Sequence, residues 1–230
     1  MTKYWEPGRV KTRLGQSIGM ESAALLHRLF VSYLCENLVE VGGRLELCVS
    51  PPQSLTLIGE QLRTWGLSDR WGITSQCDGD LGVRIRHWFH RTLMENPNAS
   101  ALLIGSDCPT LTRGDIQCAA KALDNDDVVL GPAVDGGYYL IGIRGPWRPE
   151  FDSLFQAIPW STDRVFTVTK KRLAETKLTS SDLDQREDVD TIEELMNLRR
   201  ALMTCTEHSP LRSRMNEILK AFPTTLEKTE

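Results

Sequence analysis

The sequence predicts an α/β fold in which a mostly parallel central sheet is flanked by helices, and three observations lead to this prediction. The chain has 230 residues, of which 40% are hydrophobic and 25% charged, as is typical of one globular domain with a sizeable core. Segments with helical periodicity alternate with short apolar segments. Polar residues and glycines follow several of the short segments, so we expect a ligand crevice at the carboxyl ends of the strands.

The sequence pattern in the first half of the chain predicts three helices and two strands. From Glu21 to Val41, apolar residues recur every three or four positions, which indicates one buried face of an amphipathic helix. The remaining segments follow from shorter patterns of the same kind. Helices are predicted at 21–41, 55–65 and 80–94, and strands at 45–49 and 71–75.

The second half contains the most apolar strands. Ala101–Ile104 is a continuous apolar run between polar turns, as expected for a strand that is buried on both faces. The order Asp190-Thr191-Ile192-Glu193 is typical of a capping box that opens a helix. Strands are predicted at 101–104, 127–130 and 138–143, and helices at 112–123, 161–174, 190 to about 203, and 209 to about 222.

Composition excludes several classes of protein. The net charge of −4 argues against neutralisation of a nucleic-acid backbone. No apolar stretch approaches the roughly 18 residues that a membrane helix needs. The first nine residues contain no apolar signal region, so we expect a cytoplasmic protein. We expect one main domain over residues 1–204 and a helical extension over residues 205–230.

The segment Pro7–Leu14 combines a glycine turn with three basic residues, just ahead of a helix. Gly8 allows a tight turn, and Arg9, Lys11 and Arg13 carry positive charges that suit a diphosphate. A solvated basic loop explains the same residues. Spacing alone leaves both interpretations open.

Two acidic segments are candidates for binding a metal ion. Asp107 directly follows a predicted buried strand, and Mg²⁺ or Mn²⁺ is commonly held by one or two carboxylates together with phosphate oxygens. An Asx-type turn before Pro109 is the alternative for Asp107. Asp188 and Asp190 precede the late helix, where Asp190 is either a helix N-cap or a second metal carboxylate.

A glycine-rich turn precedes the strand at 138–143. Paired glycines at Gly136 and Gly137 let the backbone approach a ligand closely, and Asp135 beside them is a candidate base or substrate ligand. A hairpin with an Asp-Gly turn explains these residues equally well.

Six collinear motifs resemble one protein family, the radical-SAM/selenodomain-associated transferases, also known as arsenosugar-biosynthesis glycosyltransferases. The resemblance covers residues 4 to about 200. The motifs are Pro-Gly-Arg-Val-Lys-Thr-Arg-Leu at 7–14, Gly-Asp-Leu-Gly at 79–82, Gly-Ser-Asp-Cys-Pro at 105–109, Gly-Pro-Ala-Val-Asp-Gly-Gly-Tyr-Tyr-Leu-Ile-Gly at 131–142, Pro-Trp-Ser-Thr at 159–162 and Asp-Val-Asp-Thr at 188–191.

The resemblance implies the GT-A fold of nucleotide-diphospho-sugar transferases, a Rossmann-like domain. We expect its first strand to be truncated, because only six residues precede the glycine turn. The resemblance places Gly8, Arg9, Lys11 and Arg13 at the nucleotide phosphates. It implies a metal ion, Mg²⁺ or Mn²⁺, held by Asp107 with Asp190 or Asp188. Asp107 and Asp135 are the implied catalytic residues, and Gly136, Gly137, Tyr138 and Trp160 are the implied sugar or acceptor contacts.

The expected activity is metal-dependent transfer of a sugar from a nucleotide-diphospho-sugar donor to a small-molecule acceptor. A metal and the basic loop would stabilise the charge that develops on the departing nucleoside diphosphate. Nucleotidyl transfer, as in the related 2-phospholactate guanylyltransferases, is the alternative activity. A degenerate, non-catalytic sugar-nucleotide binder is the alternative without catalysis.

Overall fold

The structure is a computed structural model that describes residues 1–221, and these residues divide into two compact units. We call them the terminal unit, which comprises the described residues 2–74, 106–111 and 188–221, and the central unit, which comprises residues 1, 75–105 and 112–187. None of the helices within residues 1–221 combines the length and the apolar composition that crossing a membrane requires.

The described residues form strands and helices that alternate along the chain. The strands are β1 (Thr2–Lys3), β2 (Leu45–Ser50), β3 (Trp71–Ser75), β4 (Ser100–Ile104), β5 (Val128–Pro132), β6 (Tyr138–Arg144) and β7 (Ser180–Asp182). The helices are α1 (Thr12–Ile18), α2 (Met20–Asn37), α3 (Leu55–Thr64), α4 (Leu81–Glu95), α5 (Arg113–Ala122), α6 (Val165–Thr176), α7 (Ile192–Thr204) and α8 (Ser209–Ala221).

The terminal unit contains a three-stranded sheet in the order β1-β2-β3. β1 runs parallel to β2, with Thr2 opposite Val49 and Lys3 opposite Ser50. β1 has only two residues, which confirms the prediction of a short first strand.

The central unit contains a four-stranded sheet in the order β4-β6-β5-β7. β4, β5 and β7 run in one direction, since β5 pairs in parallel with β7 and both β4 and β5 pair antiparallel with β6. The prediction of a mostly parallel α/β sheet is therefore confirmed, with β6 as the strand of opposite direction.

Most predicted segments agree with the observed ones, and the differences lie where apolar periodicity is weak. α6 begins at Val165 instead of Ser161. β7 and α1 were not predicted as separate elements: β7 is Ser-Ser-Asp, without an apolar pattern, and α1 is a seven-residue helix that buries Leu14 and Ile18. The predicted end of the last helix, near Phe222, lies outside the described residues.

The N-terminus of α7 differs from the prediction by one residue. Thr191 is the N-cap, and its hydroxyl accepts a hydrogen bond from the backbone N–H of Glu194. The Glu194 carboxylate accepts in return from the N–H groups of Asp190, at 2.6 Å, and Thr191, at 2.7 Å. The prediction of Asp190 as the N-cap is wrong, and its carboxylate is consequently available for other contacts.

The helices at the two ends of the chain share one hydrophobic core in the terminal unit. This core includes Leu14 of α1, Phe30 of α2, Leu195 of α7 and Met215 of α8. The predicted boundary between residues 204 and 205 stays a prediction. α8 nevertheless buries Leu211 and Met215 completely within this core, and residues 222–230 of the predicted extension lie outside the described part of the chain.

Met215→Ala is expected to lower the free energy of unfolding by about 2–5 kcal/mol, because it removes a fully buried side chain and leaves a cavity. Urea denaturation measures this loss. Met203→Ala on α7 is the matched control, since Met203 is exposed and its truncation should change stability by less than about 0.5 kcal/mol. Equal effects of the two substitutions would contradict the docking of α8 in the core.

Candidate functional site

Lys11 is the central residue of the candidate site, and its backbone conformation is unusual. It precedes α1 with φ 44° and ψ 44°, a left-handed conformation that costs a non-glycine residue roughly 1–2 kcal/mol. Its side chain is turned inward, with 2% exposed, and its Nζ lies 5.5 Å from the centre of the Phe30 ring. Strain of this kind at a buried charge is typical of functional sites.

Three oxygen atoms accept hydrogen bonds from the Lys11 ammonium group. Nζ lies 2.5 Å from Oδ1 of Asp107, 2.6 Å from the carbonyl oxygen of Val189 and 3.2 Å from Oδ1 of Asp190. A lysine has three N–H donors, so these oxygens match its donors in number. We refer to Asp107 and Asp190 as the acid pair, and one ammonium group joins them.

A second cation completes the charge balance of the acid pair. Nη2 of Arg13 donates to Oδ2 of Asp190 at 2.9 Å, so that Lys11 and Arg13 engage one oxygen each of this carboxylate. The backbone N–H of Val189 donates to the carbonyl oxygen of Asp107 at 3.0 Å. The two acidic loops are therefore joined by their backbones as well as through Lys11.

Mutual attraction keeps the Lys11 ammonium and the Asp107 carboxylate charged, although the ammonium is buried. Burial lowers the pKa of Lys11. The nearby charges of Asp107 and Asp190 raise that pKa by more than burial lowers it, so the net shift is upward. Burial raises the pKa of Asp107. Lys11, and to a smaller extent His27, lower that pKa by more than burial raises it, so the net shift is downward. Lys11 is therefore cationic and Asp107 anionic at neutral pH.

His27 of α2 is a member of this site that the sequence analysis did not identify. Its Nε2 lies 3.1 Å from the carbonyl oxygen of Lys3, which can only accept, so Nε2 carries the proton. Its Nδ1 lies 3.9 Å from Oδ1 of Asp107. Burial is the largest influence and lowers the pKa of His27, so the ring is neutral at pH 7. Its only signal in the sequence is a histidine within an apolar helix face.

Gly8 and Arg9, at the turn that begins the basic loop, are exposed. Gly8 has φ 77°, and no atom lies within 4 Å of the position that a Cβ would take. Nε of the exposed Arg9 lies 4.0 Å from the Glu6 carboxylate. The solvated-loop interpretation thus describes Arg9, whereas Lys11 is buried in the acid pair.

The carboxylates of Asp107 and Asp190 converge on one point, as the ligands of a shared metal ion would. That point is occupied by the Lys11 ammonium, and Arg13 takes a further oxygen. Within residues 1–221, no group of three or more His, Cys, Asp or Glu side chains is arranged to hold a metal ion. The predicted ligand roles of Asp107, Asp188 and Asp190 for Mg²⁺ or Mn²⁺ remain predictions.

In the central unit, Asp135 closes the hairpin between β5 and β6. Its Oδ1 accepts from the N–H of Gly137 at 2.8 Å, and the N–H of Gly136 donates to the carbonyl oxygen of Ala133 at 3.2 Å. The hairpin interpretation therefore accounts for the position of this exposed aspartate. Its catalytic role remains a prediction.

Tyr138 and Trp160, which the sequence analysis assigned to the substrate, lie against the core of the central unit. Their rings are 6.2 Å apart at 81°. Burial raises the pKa of the Tyr138 hydroxyl, which lies beside Thr169. A Cβ on Gly82 would lie 2.6 Å from Nε1 of Trp160, so the indole packs closely on the first turn of α4. Close packing against Trp160 therefore explains why the second glycine of the Gly-Asp-Leu-Gly motif, Gly82, has no side chain.

The fold is that of the nucleotide-diphospho-sugar transferase class, as one solved structure shows. A crystal structure from Desulfovibrio desulfuricans G20, described as a "putative nucleotide-diphospho-sugar transferase", is 30% identical to this chain. The match covers 96% of this chain and 94% of that one, with a TM-score of 0.84. Residues 38–162 match the family model DUF2064, described as "Uncharacterized protein conserved in bacteria". The chain belongs to the DUF2064 family.

A second solved structure is only distantly similar to this chain. The crystal structure of Rv0371c from Mycobacterium tuberculosis H37Rv is 13% identical, and the match covers 86% of this chain and 95% of that one with a TM-score of 0.46. None of the curated proteins matches this sequence.

Gly136→Ala is expected to destabilise the protein more than Gly43→Ala. Both glycines have positive φ, at 88° and 66°, so alanine costs roughly 1–2 kcal/mol at either position. At Gly136 the new Cβ would also lie 2.1 Å from the backbone oxygen of Asp163, whereas at Gly43 no atom lies within 4 Å. We expect an additional loss of about 1–3 kcal/mol at Gly136 in urea denaturation. Equal losses would contradict close packing of this hairpin.

Proposed function

We propose that the protein transfers a sugar from a nucleotide-diphospho-sugar donor to a small-molecule acceptor. The observation that carries the proposal is the similarity, over nearly the whole chain, to the Desulfovibrio structure. The narrower assignment, to the radical-SAM/selenodomain-associated transferases of arsenosugar biosynthesis, is supported by the six sequence motifs and is part of the proposal.

In the proposed reaction, the bond between the anomeric carbon and the diphosphate oxygen breaks while an acceptor oxygen bonds to that carbon. The nucleoside diphosphate leaves with the bonding electrons, so negative charge develops on its phosphate oxygens. Cationic groups that face those oxygens stabilise this charge. The acceptor hydroxyl loses its proton, and Asp135 is the candidate base.

Arg13 is the group that we propose for the phosphates. It is attached to the acid pair through Nη2, while 67% of its side chain is exposed. A guanidinium has five N–H donors, so Arg13 can hold Asp190 and still donate to phosphate oxygens. The exposed Arg9 is a second candidate. Lys11 acts indirectly, because it holds Asp190 in the position from which that carboxylate orients Arg13.

The candidates for the sugar and the acceptor belong to the central unit. Gly136, Gly137, Tyr138 and Trp160 are proposed for this role from the family resemblance. Since the Tyr138 hydroxyl is buried, its contribution would come from the ring or the backbone.

The reaction products distinguish the proposed activity from its alternatives. The purified chain would be incubated with a panel of nucleotide sugars and candidate acceptors. Release of nucleoside diphosphate supports glycosyl transfer, whereas release of pyrophosphate from nucleoside triphosphates indicates nucleotidyl transfer. Binding of a donor without release of either product indicates a non-catalytic binder.

Arg13→Ala is expected to weaken donor binding by about 10- to 100-fold, because a charge-assisted hydrogen bond to phosphate contributes roughly 1.5–3 kcal/mol. Calorimetric titration with the donor identified in the panel measures the change. The remaining affinity should depend less on salt, since one ionic contact is lost. Arg200→Ala removes an exposed arginine from α7 and is the matched control. Unchanged affinity of Arg13→Ala would exclude its role at the phosphates.

A further inference from the structure

We propose that Lys11 is the built-in cation of the acid pair, and that it prevents a divalent ion from binding there in the free protein. The sequence analysis assigned this place to a metal, and the structure places an ammonium group in it. The inference concerns the protein without any nucleotide, so it does not depend on the proposed reaction.

The contacts of Lys11 are those of a bound cation. Its Nζ is surrounded by one oxygen of Asp107, one oxygen of Asp190 and the carbonyl oxygen of Val189, at 2.5–3.2 Å. Oxygen atoms of carboxylates and carbonyl groups are also the ligands that Mg²⁺ and Mn²⁺ prefer. The Lys11 side chain thus occupies a set of oxygen atoms that would suit a hard metal ion.

The charge of the site and the burial of Lys11 act against exchange of the ammonium for a metal ion. The two negative charges of the acid pair are balanced by Lys11 and Arg13, so a divalent ion would add to a site that is already neutral. The Lys11 side chain is 2% exposed, and its ammonium lies beside the Phe30 ring, whereas the Asp107 and Asp190 side chains are 42% and 31% exposed, so a metal ion would approach the acid pair from the side opposite the ammonium. A metal ion would have to bind while both cations remain close to it.

Removal of the ammonium should reverse this preference. In Lys11→Met, a side chain of similar length fills the space without a charge, and three oxygens then converge on one point. Water completes the coordination of a divalent ion in such sites. Lys11→Met should therefore create a site for one Mn²⁺ ion per chain.

The test is a titration of Mn²⁺ into the full-length, nucleotide-free protein, with free Mn²⁺ followed by electron paramagnetic resonance. The parent protein should show no saturable binding up to about 1 mM, the weak end of natural oxygen-ligand sites. Lys11→Met should bind Mn²⁺ saturably, and the additional substitution Asp107→Asn should abolish that binding. Lys11→Gln, which also removes the charge, repeats the test if Lys11→Met does not fold.

Two results would overturn the inference. One is saturable Mn²⁺ binding by the parent protein that Asp107→Asn or Asp190→Asn abolishes. The other is a folded Lys11→Met or Lys11→Gln variant that binds no Mn²⁺. Because the titration contains no donor, a failure of the proposed glycosyl transfer would leave these results unaffected.

Discussion

The terminal unit depends on one buried ammonium group. It is assembled from three separate stretches of the chain, and each contributes to the contacts of Lys11: the first provides the lysine, the second provides Asp107, and the third provides Val189 and Asp190. Removal of one partner from a buried ion pair leaves the other charge uncompensated, which is far more costly than the net value of the intact pair. The arrangement therefore specifies how the three stretches must meet.

Local backbone choices make that meeting possible. Asp190 reaches Lys11 because Thr191 and Glu194 cap α7, which leaves the Asp190 carboxylate without a capping role. Lys11 points inward because its backbone is left-handed before α1. The capping box is favourable in an isolated peptide, whereas the left-handed conformation of Lys11 is not, since a lysine gains nothing locally from it. The Lys11 conformation is stabilised by long-range contacts with charged groups.

The sequence was sufficient for those parts of the fold that depend on apolar patterning. β4, β5 and β6 were predicted because their residues form continuous apolar runs that are buried in a sheet. β7 has no such pattern, and its pairing with β5 is a backbone interaction that side-chain periodicity does not encode. At the site, Asp107 was found because it follows a strand. The inward turn of Lys11 and the position of His27 are products of tertiary structure, so patterns in the sequence could not predict them.

The order in which the ribosome produces the chain gives the buried lysine a further significance. Asp190 follows Lys11 by 179 residues, so at roughly 5–20 residues per second the nascent chain spends about 10–35 s without this partner. The N-terminal stretch of the terminal unit lacks both acidic partners of its lysine until Asp107 is made, 96 residues after Lys11, and it lacks Asp190 for the whole of that time. The central unit, by contrast, ends at residue 187 and has all of its strands before the acid pair is complete. Vectorial synthesis thus favours early folding of the middle of the chain, with its two ends joining last.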